Sequence, residues 1–199
     1  MKKVAFLIII SGFIFISFGV YQLFSTNHKQ SLAITEAREI INLSTLQQVE
    51  TNTKARFPND FSPDTGETVG ILHIPKLEAD LPIVEGTDPD ELAKGVGHYK
   101  GTAYPLQKDQ IVLSGHRETV FRRMGELELG DILTVRLSYG EFTYEIIDTY
   151  IVSADDRTVI KTTSPNEVLT LTTCYPFNFI GDAPDRYIIT ATPVTNYNK

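Results

Sequence analysis

The sequence predicts a mainly β fold, a closed or nearly closed barrel or sandwich, preceded by helix. Three observations carry this. After Glu67 the chain breaks into seven or eight short β-like runs separated by turns. The helical patches between those runs are brief. Ahead of them lie an apolar run and then a stretch whose apolar residues recur every three or four positions, a helix period rather than a strand period. Many short strands with little helix to cover them are best buried when the sheet folds back on itself.

The first element is the apolar run. Lys2 and Lys3 precede Val4 to Phe24, which contains no charged side chain. Those 21 residues span about 31 Å as a helix, close to the roughly 30 Å hydrocarbon core of a bilayer. A cleaved signal peptide has a shorter apolar core and small residues before its cleavage site. Here the run ends Gly19-Val-Tyr-Gln-Leu-Phe24, without such a site. The expectation is an uncleaved, single-pass signal-anchor over 4–24 in the cell membrane. Residues 1–3 stay cytoplasmic and everything after the span lies outside.

From Ser31 to Ala55, Ile34, Ala37, Ile40, Ile41, Leu43, Leu46 and Val49 form an amphipathic helical pattern, either a stalk or a helix packed on the domain. Phe57 to Gly66 is rich in Pro, Asn, Asp and Gly and reads as a linker. Residues 25–66 are thus stalk helix and linker, and 67–199 a single folded domain. Its strands are expected at Val69–Ile74, Leu81–Val84, Gln110–Ser114, Ile132–Leu137, Phe142–Val152, Val168–Thr173 and Tyr187–Thr192. Ser138-Tyr-Gly-Glu141 makes a hairpin turn. Helical patches are expected at Asp88–Lys94 and Thr119–Leu127.

Charge and cysteine content narrow the function. A net charge of −7 argues against nucleic acid, whose phosphates need a basic face. There is no Cys-x-x-Cys pair and no His/Cys cluster at ligand spacing, so no metal or cofactor is called for. The single cysteine, Cys174, cannot form an internal disulfide. Outside the cell such a thiol is either buried packing or a reactive atom. Period-two alternation puts Leu169, Leu171 and Thr173 on one face of its strand and Val168, Thr170, Thr172 and Cys174 on the other.

A cysteine nucleophile needs a proton partner, usually histidine. His28 reads as a solvated residue beside the membrane. His73 reads as a strand side chain with a local partner, and His98 as a hydrogen-bonded residue in a turn-rich segment. His116 ends its strand as Cys174 ends its own, and by position it is preferred over His98. Arg186 opens the strand that follows. If the last two strands are antiparallel neighbours, its guanidinium lies on the thiol's side of the sheet, suited to an oxyanion. An ordinary surface arginine paired with Asp182 or Asp185 fits the spacing equally well.

Five segments together resemble the sortases, membrane-anchored transpeptidases of Gram-positive bacteria: Gly70-Ile-Leu-His-Ile-Pro75, Gly97-His-Tyr-Lys-Gly-Thr102, Leu113-Ser-Gly-His-Arg117, Thr170-Leu-Thr-Thr-Cys174 and Arg186. The resemblance implies a closed eight-stranded sortase-type β-barrel. It implies His116 as acid/base, Cys174 as nucleophile and Arg186 as stabiliser of the substrate carbonyl and oxyanion. The implied reaction cleaves a Leu-Pro-x-Thr-(Gly/Ala) sorting signal after Thr and passes the acyl group, through a thioester, to an amine of peptidoglycan or its lipid-linked precursor. The implied partners are surface proteins bearing that signal. Ala103, Tyr104, Val159, Ile160 and Thr173 are candidate substrate-groove residues by the same analogy.

His116-Arg-Glu-Thr-Val-Phe-Arg-Arg-Met124 looks like class D. The short stretch Ala154 to Glu167 leaves no room for the long helix of class B, and the segment after Ala103 lacks the acidic cluster of calcium-activated class A. No second apolar span and no aromatic lid motif favour the pilin-polymerising class C. Two rivals stand beside this reading. A hydrolytic extracellular cysteine peptidase would pass the acyl group to water. A tethered binding module would simply bury Cys174.

Overall fold

The computed structural model describes residues 2–51, 56–179 and 181–194. One helix, α1 (Lys2–Thr51), precedes eight strands. These are β1 (Thr68–Ile74), β2 (Ala79–Glu85), β3 (Val96–His98), β4 (Gln110–Ser114), β5 (Ile132–Leu137), β6 (Gly140–Ser153), β7 (Val168–Tyr175) and β8 (Asp185–Pro193). A single turn of helix, α2 (Pro89–Leu92), lies between β2 and β3. Around the closed barrel the order is β1-β2-β3-β4-β7-β8-β6-β5. The β2–β3 and β4–β7 pairs are parallel and the others antiparallel.

The helix runs unbroken where the sequence pattern suggested an apolar span and a separate amphipathic segment. Between Phe24 and Ser31 there is polarity but no proline or glycine, so nothing interrupts the backbone hydrogen bonds. The last expected residues of that segment, 52–55, lie outside the described residues. Ala33 and Ala37, one turn apart, are fully buried against the barrel. Their small side chains bring the helix close to β1 and β2. Glu36 then accepts from the Thr68 hydroxyl at 2.6 Å, and Arg38 donates to Asp80 at 3.3 Å. Phe6 to Tyr21, and Phe24, by contrast keep their large apolar side chains exposed.

Inside the barrel, Leu72, Ile74, Ile83, Ile111, Leu113, Leu133, Tyr144, Leu169, Leu171 and Ile189 interdigitate. Alternation places them there, and their burial supplies the main driving force for closure. One end is plugged by Phe121, Met124 and Leu127. The expected helix over Thr119–Leu127 is instead a run of turns with a single 3-10 turn at Met124–Glu126. The three-residue spacing of its apolar plugs, read as helical, serves a tight turn equally well.

β3 is the strand the sequence reading passed over. It is only three residues long, with Gly95 before it and Gly97 at its centre, a composition that reads as a loop. Those glycines have a packing reason. A Cβ on Gly95 would strike the Pro82 carbonyl, and one on Gly97 the Gly86 carbonyl.

β6 is long because it serves two neighbours. Its first half pairs with β5 and its second with β8, and the register with β8 slips between Ile146 and Asp148. The extra residue, Ile147, is exposed. Such a bulge reverses which face later residues occupy. Before it, Tyr144 and Ile146 point into the core; after it, Asp148, Tyr150 and Val152 line an outer groove.

Candidate active site

Three adjacent strands bring the candidate residues together. β7 is flanked by β4 on one side and β8 on the other. Cys174 is directly opposed to Arg186 in the β7–β8 ladder. Directly opposed residues have Cβ atoms roughly 5 Å apart and share a face of the sheet. On the other flank, Ser114 pairs with Thr172 in parallel register. The Gly115 N–H then donates to the Thr172 carbonyl at 3.1 Å, and the Thr173 hydroxyl donates to the Gly115 carbonyl at 2.7 Å. These bonds carry the pairing one step past the strand, so that His116 follows at the level of Cys174. An imidazole, a thiol and a guanidinium therefore occupy consecutive chains at one end of one sheet.

Each is accessible. His116, Cys174 and Arg186 are all half-buried. Arg186 donates from Nη1 to the carbonyls of Ala183 and Asp185, at 3.3 and 2.9 Å. Among the described residues its Nε and Nη2 have no protein acceptor, and neither Asp182 nor Asp185 forms an ion pair with it. No side chain among the described residues hydrogen-bonds the His116 ring.

A groove of 430 Å³ leads to this end of the sheet. Its floor is the outer face of β4, β7 and β8: Val112, Ser114, Thr170, Thr172 and Ile188, ending at Arg186. Cys174 and His116 are not among its lining residues. Cys174 stands one step beyond Thr172 on the same face of β7, and His116 follows Ser114 by two residues just past the end of β4. Val159 and Ile160, from the connection between β6 and β7, form the facing wall.

That wall is held by two residues the sequence reading did not single out. The Asp109 carboxylate accepts from the backbone N–H of Thr163, Gln110 and Ser164 at 2.6, 2.8 and 3.1 Å, and from the Thr162 hydroxyl at 2.9 Å. The Thr163 N–H first, then that of Gln110, keep its carboxyl below the ordinary aspartate range. Gln110, only 6% exposed, donates from Nε2 to the Val159 carbonyl and the Thr170 hydroxyl, and accepts from the Lys161 N–H. An Asp-Gln pair opening a strand carries no signal of this task, because both residues are also common in turns.

The other candidates fall elsewhere. Ala103 borders a separate shallow depression with Ile160, Lys161 and Thr162. Tyr104, 8% exposed, stacks on His98 and donates to Glu85 at 2.6 Å. Thr173, 3% exposed, faces inward on the opposite side of β7 from Cys174. Neither Tyr104 nor Thr173 lines the groove, and both act as frame: a tyrosine satisfied in a buried polar cluster and a hydroxyl tying β7 to Gly115.

Among the described residues the remaining histidines have local partners or none. His98 is buried, with Nδ1 2.6 Å from Glu85 and Nε2 3.0 Å from the Ala103 carbonyl. Burial alone pushes the Glu85 carboxyl up, but hydrogen bonds from His98 and Tyr104 outweigh it and hold the group low. His73 contacts Asp80 at 2.7 Å, and His28 is exposed.

Comparison with known proteins identifies the family. A family model described as a sortase domain matches residues 72–194. The chain is 51% identical to sortase D of Bacillus subtilis, with 98% of this chain and 100% of that one aligned. It is 32% identical to sortase SrtE1 of Streptomyces coelicolor over 88% of this chain, but only 53% of that longer one. Among solved structures, a Clostridium perfringens sortase D5 transpeptidase superposes with a TM-score of 0.69 at 24% identity, covering 84% of this chain and 99% of that one. A sortase from Actinomyces oris superposes with a TM-score of 0.61 at 28% identity over 68% of this chain and 87% of that one.

Proposed function

Given that this chain belongs to the sortase family, on its class D branch, we propose that Cys174, His116 and Arg186 carry its transpeptidation. The reaction then proceeds in two balanced steps. The Cys174 sulfur, as thiolate, attacks the threonine carbonyl carbon of a Leu-Pro-x-Thr-(Gly/Ala) signal. Arg186 donates to the oxygen as negative charge develops on it. His116, as imidazolium, gives its proton to the departing amine as the peptide C–N bond breaks, leaving a thioester on Cys174. An amine of a peptidoglycan cross-bridge or its lipid-linked precursor then attacks. His116 takes up its proton, the C–S bond breaks, and a new amide joins the surface protein to the wall.

The observation that carries this assignment is the direct opposition of Cys174 and Arg186, with the end of β4 holding His116 alongside. The Nε and Nη2 of Arg186, without an acceptor among the described residues, are the donors assigned to the carbonyl oxygen. The groove beside them, apolar at Val159, Ile160, Val112 and Ile188, suits the Leu-Pro portion of a signal, which needs little more than an apolar trough with a fixed shape.

The N-terminal apolar helix fits a single-pass membrane anchor. We assign its orientation from Lys2 and Lys3, which stay inside, so that the barrel faces the wall it modifies.

The test is product analysis with a labelled sorting peptide and an added amine. The wild-type protein is expected to release the fragment after Thr and form the amide. Cys174→Ala is expected to do neither while keeping its fold by circular dichroism. Turnover retained in that variant would remove the thiol from the mechanism, and only free acid with the wild type would make the protein a peptidase.

A further inference from the structure

We propose that Arg117 is a positioning residue for the transfer reaction: its buried guanidinium clamps the β7–β8 connection against the end of β4 and so fixes the spacing of His116 and Cys174. The inference rests on the assignment of those two residues above.

Arg117 is only 4% exposed. Arginine is rarely so buried unless its donors are satisfied. Here Nη1 donates to the Pro176 carbonyl at 3.1 Å and Nη2 to the Gly181 carbonyl at 2.8 Å. Nε donates to Glu118 at 2.7 Å, and the Phe179 ring lies 6.0 Å from the guanidinium carbon. The two carbonyls bracket the connection that leaves Cys174 and returns to Arg186. Arg117 itself directly follows His116. One side chain thus links the residue beside the imidazole to both limbs of the segment joining thiol and guanidinium.

The ladder gives no such link at this point. Pairing between β4 and β7 ends at Ser114 and Thr172, extended only by the bonds at Gly115. Beyond it the His116 carbonyl turns back to Thr119 and Phe121 within its own segment. Arg117 supplies the cross-strand tie where the sheet no longer does. The planar fork explains the residue type, since two N–H groups reach separate carbonyls while a third meets a carboxylate. A lysine ammonium sits at one point and cannot span both. Arg117 does not line the groove, so it acts through the backbone it holds.

The experiment uses the full-length protein in detergent micelles, with the labelled sorting peptide and amine already described. Misplacing reacting groups by about 1 Å costs on the order of 100-fold. Arg117→Ala is therefore expected to lose about 10- to 100-fold in kcat while KM stays within about threefold. The pH profile of kcat/KM, and the pH dependence of Cys174 alkylation, should shift with it, because the electrostatic influence of one ionisable group on another depends on their separation. Arg117→Lys should recover only part of the rate. Glu118→Gln, which keeps both carbonyl bonds, should remain within about twofold of wild type.

A wild-type kcat and pH profile in Arg117→Ala overturns the proposal. So does a loss of rate equal to the unfolded fraction measured at the assay temperature, which would make Arg117 a stability brace alone. Glu118→Gln as slow as Arg117→Ala contradicts the assignment to the carbonyl bonds. If Arg117→Ala does not fold, Arg117→Lys and Phe179→Leu carry the same readouts. Cys174→Ala run in parallel separates the two levels: its turnover would defeat the thiol assignment itself, whereas an inactive Cys174→Ala beside wild-type-like Arg117 variants defeats only the clamp.

Discussion

Arg186 meets Cys174 across a ladder rather than along one chain, which gives both side chains a rigid base. A guanidinium in that position needs no acid to keep it charged. With Nη1 engaged by the Ala183 and Asp185 carbonyls, the fork is anchored on one side and open on the other. Lysine would keep the charge and lose this division of labour. Arg186→Lys is expected to lower kcat/KM for the sorting peptide by about 100-fold, comparable to removing one oxyanion donor. Unchanged kinetics would return Arg186 to the surface-residue reading that its spacing alone permitted. Its partners were legible to different degrees. Alternation along Val168–Cys174 put the thiol on the face opposite Leu169, Leu171 and Thr173 but left its burial open; the structure buries those three and leaves Cys174 half-buried. Tyr104 and Thr173 were less legible, because a polar group in a frame and one in a groove have the same sequence signature until their neighbours are known.

At the scale of elements, the groove depends on two devices that periodicity does not reveal. The bulge at Ile147 turns Asp148, Tyr150 and Val152 outward, so that Val152 lines the groove while Asp148 and Tyr150 line a neighbouring one. A one-residue slip is invisible in a strand read as continuous from Phe142 to Val152. The second device is Asp109, whose carboxylate gathers three backbone N–H groups and so shapes the β6–β7 connection. Because those bonds favour the charged form, the hold persists through neutral pH. It is lost as pH falls through the lowered folded value, where the proton displaces the N–H groups. Asp109→Asn mimics that state at neutral pH. It is expected to raise KM for the sorting peptide about three- to tenfold with kcat nearly unchanged, since the residue shapes binding and not the reacting atoms. A wild-type KM would show the wall to be held by Gln110 alone. The short strand β3 escaped the sequence reading for a related reason: its glycines answer to neighbouring carbonyls, which only the folded chain brings near.

Across the whole molecule, helix and groove lie on opposite sides. The helix packs on β1 and β2, and the groove floor spans β4, β7 and β8, half-way round the ring from them. The helix residues that touch the barrel therefore leave the groove open, an arrangement the amphipathic pattern alone could not decide between stalk and packed helix. Strand order matters to the chemistry because β4 is distant in sequence from β7 and β8, and its parallel pairing with β7 makes the three neighbours. The central claim is that this meeting of three strands turns Cys174 into an acyl carrier. It is tested most directly by incubating the full-length protein with a sorting peptide in the absence of amine, quenching in acid, and mapping the adduct by mass spectrometry. The account predicts an added acyl mass confined to the peptide containing Cys174, released as amide when an amine is supplied before the quench. Cleavage of the signal with no adduct on Cys174, or with the acyl group on another residue, would contradict it.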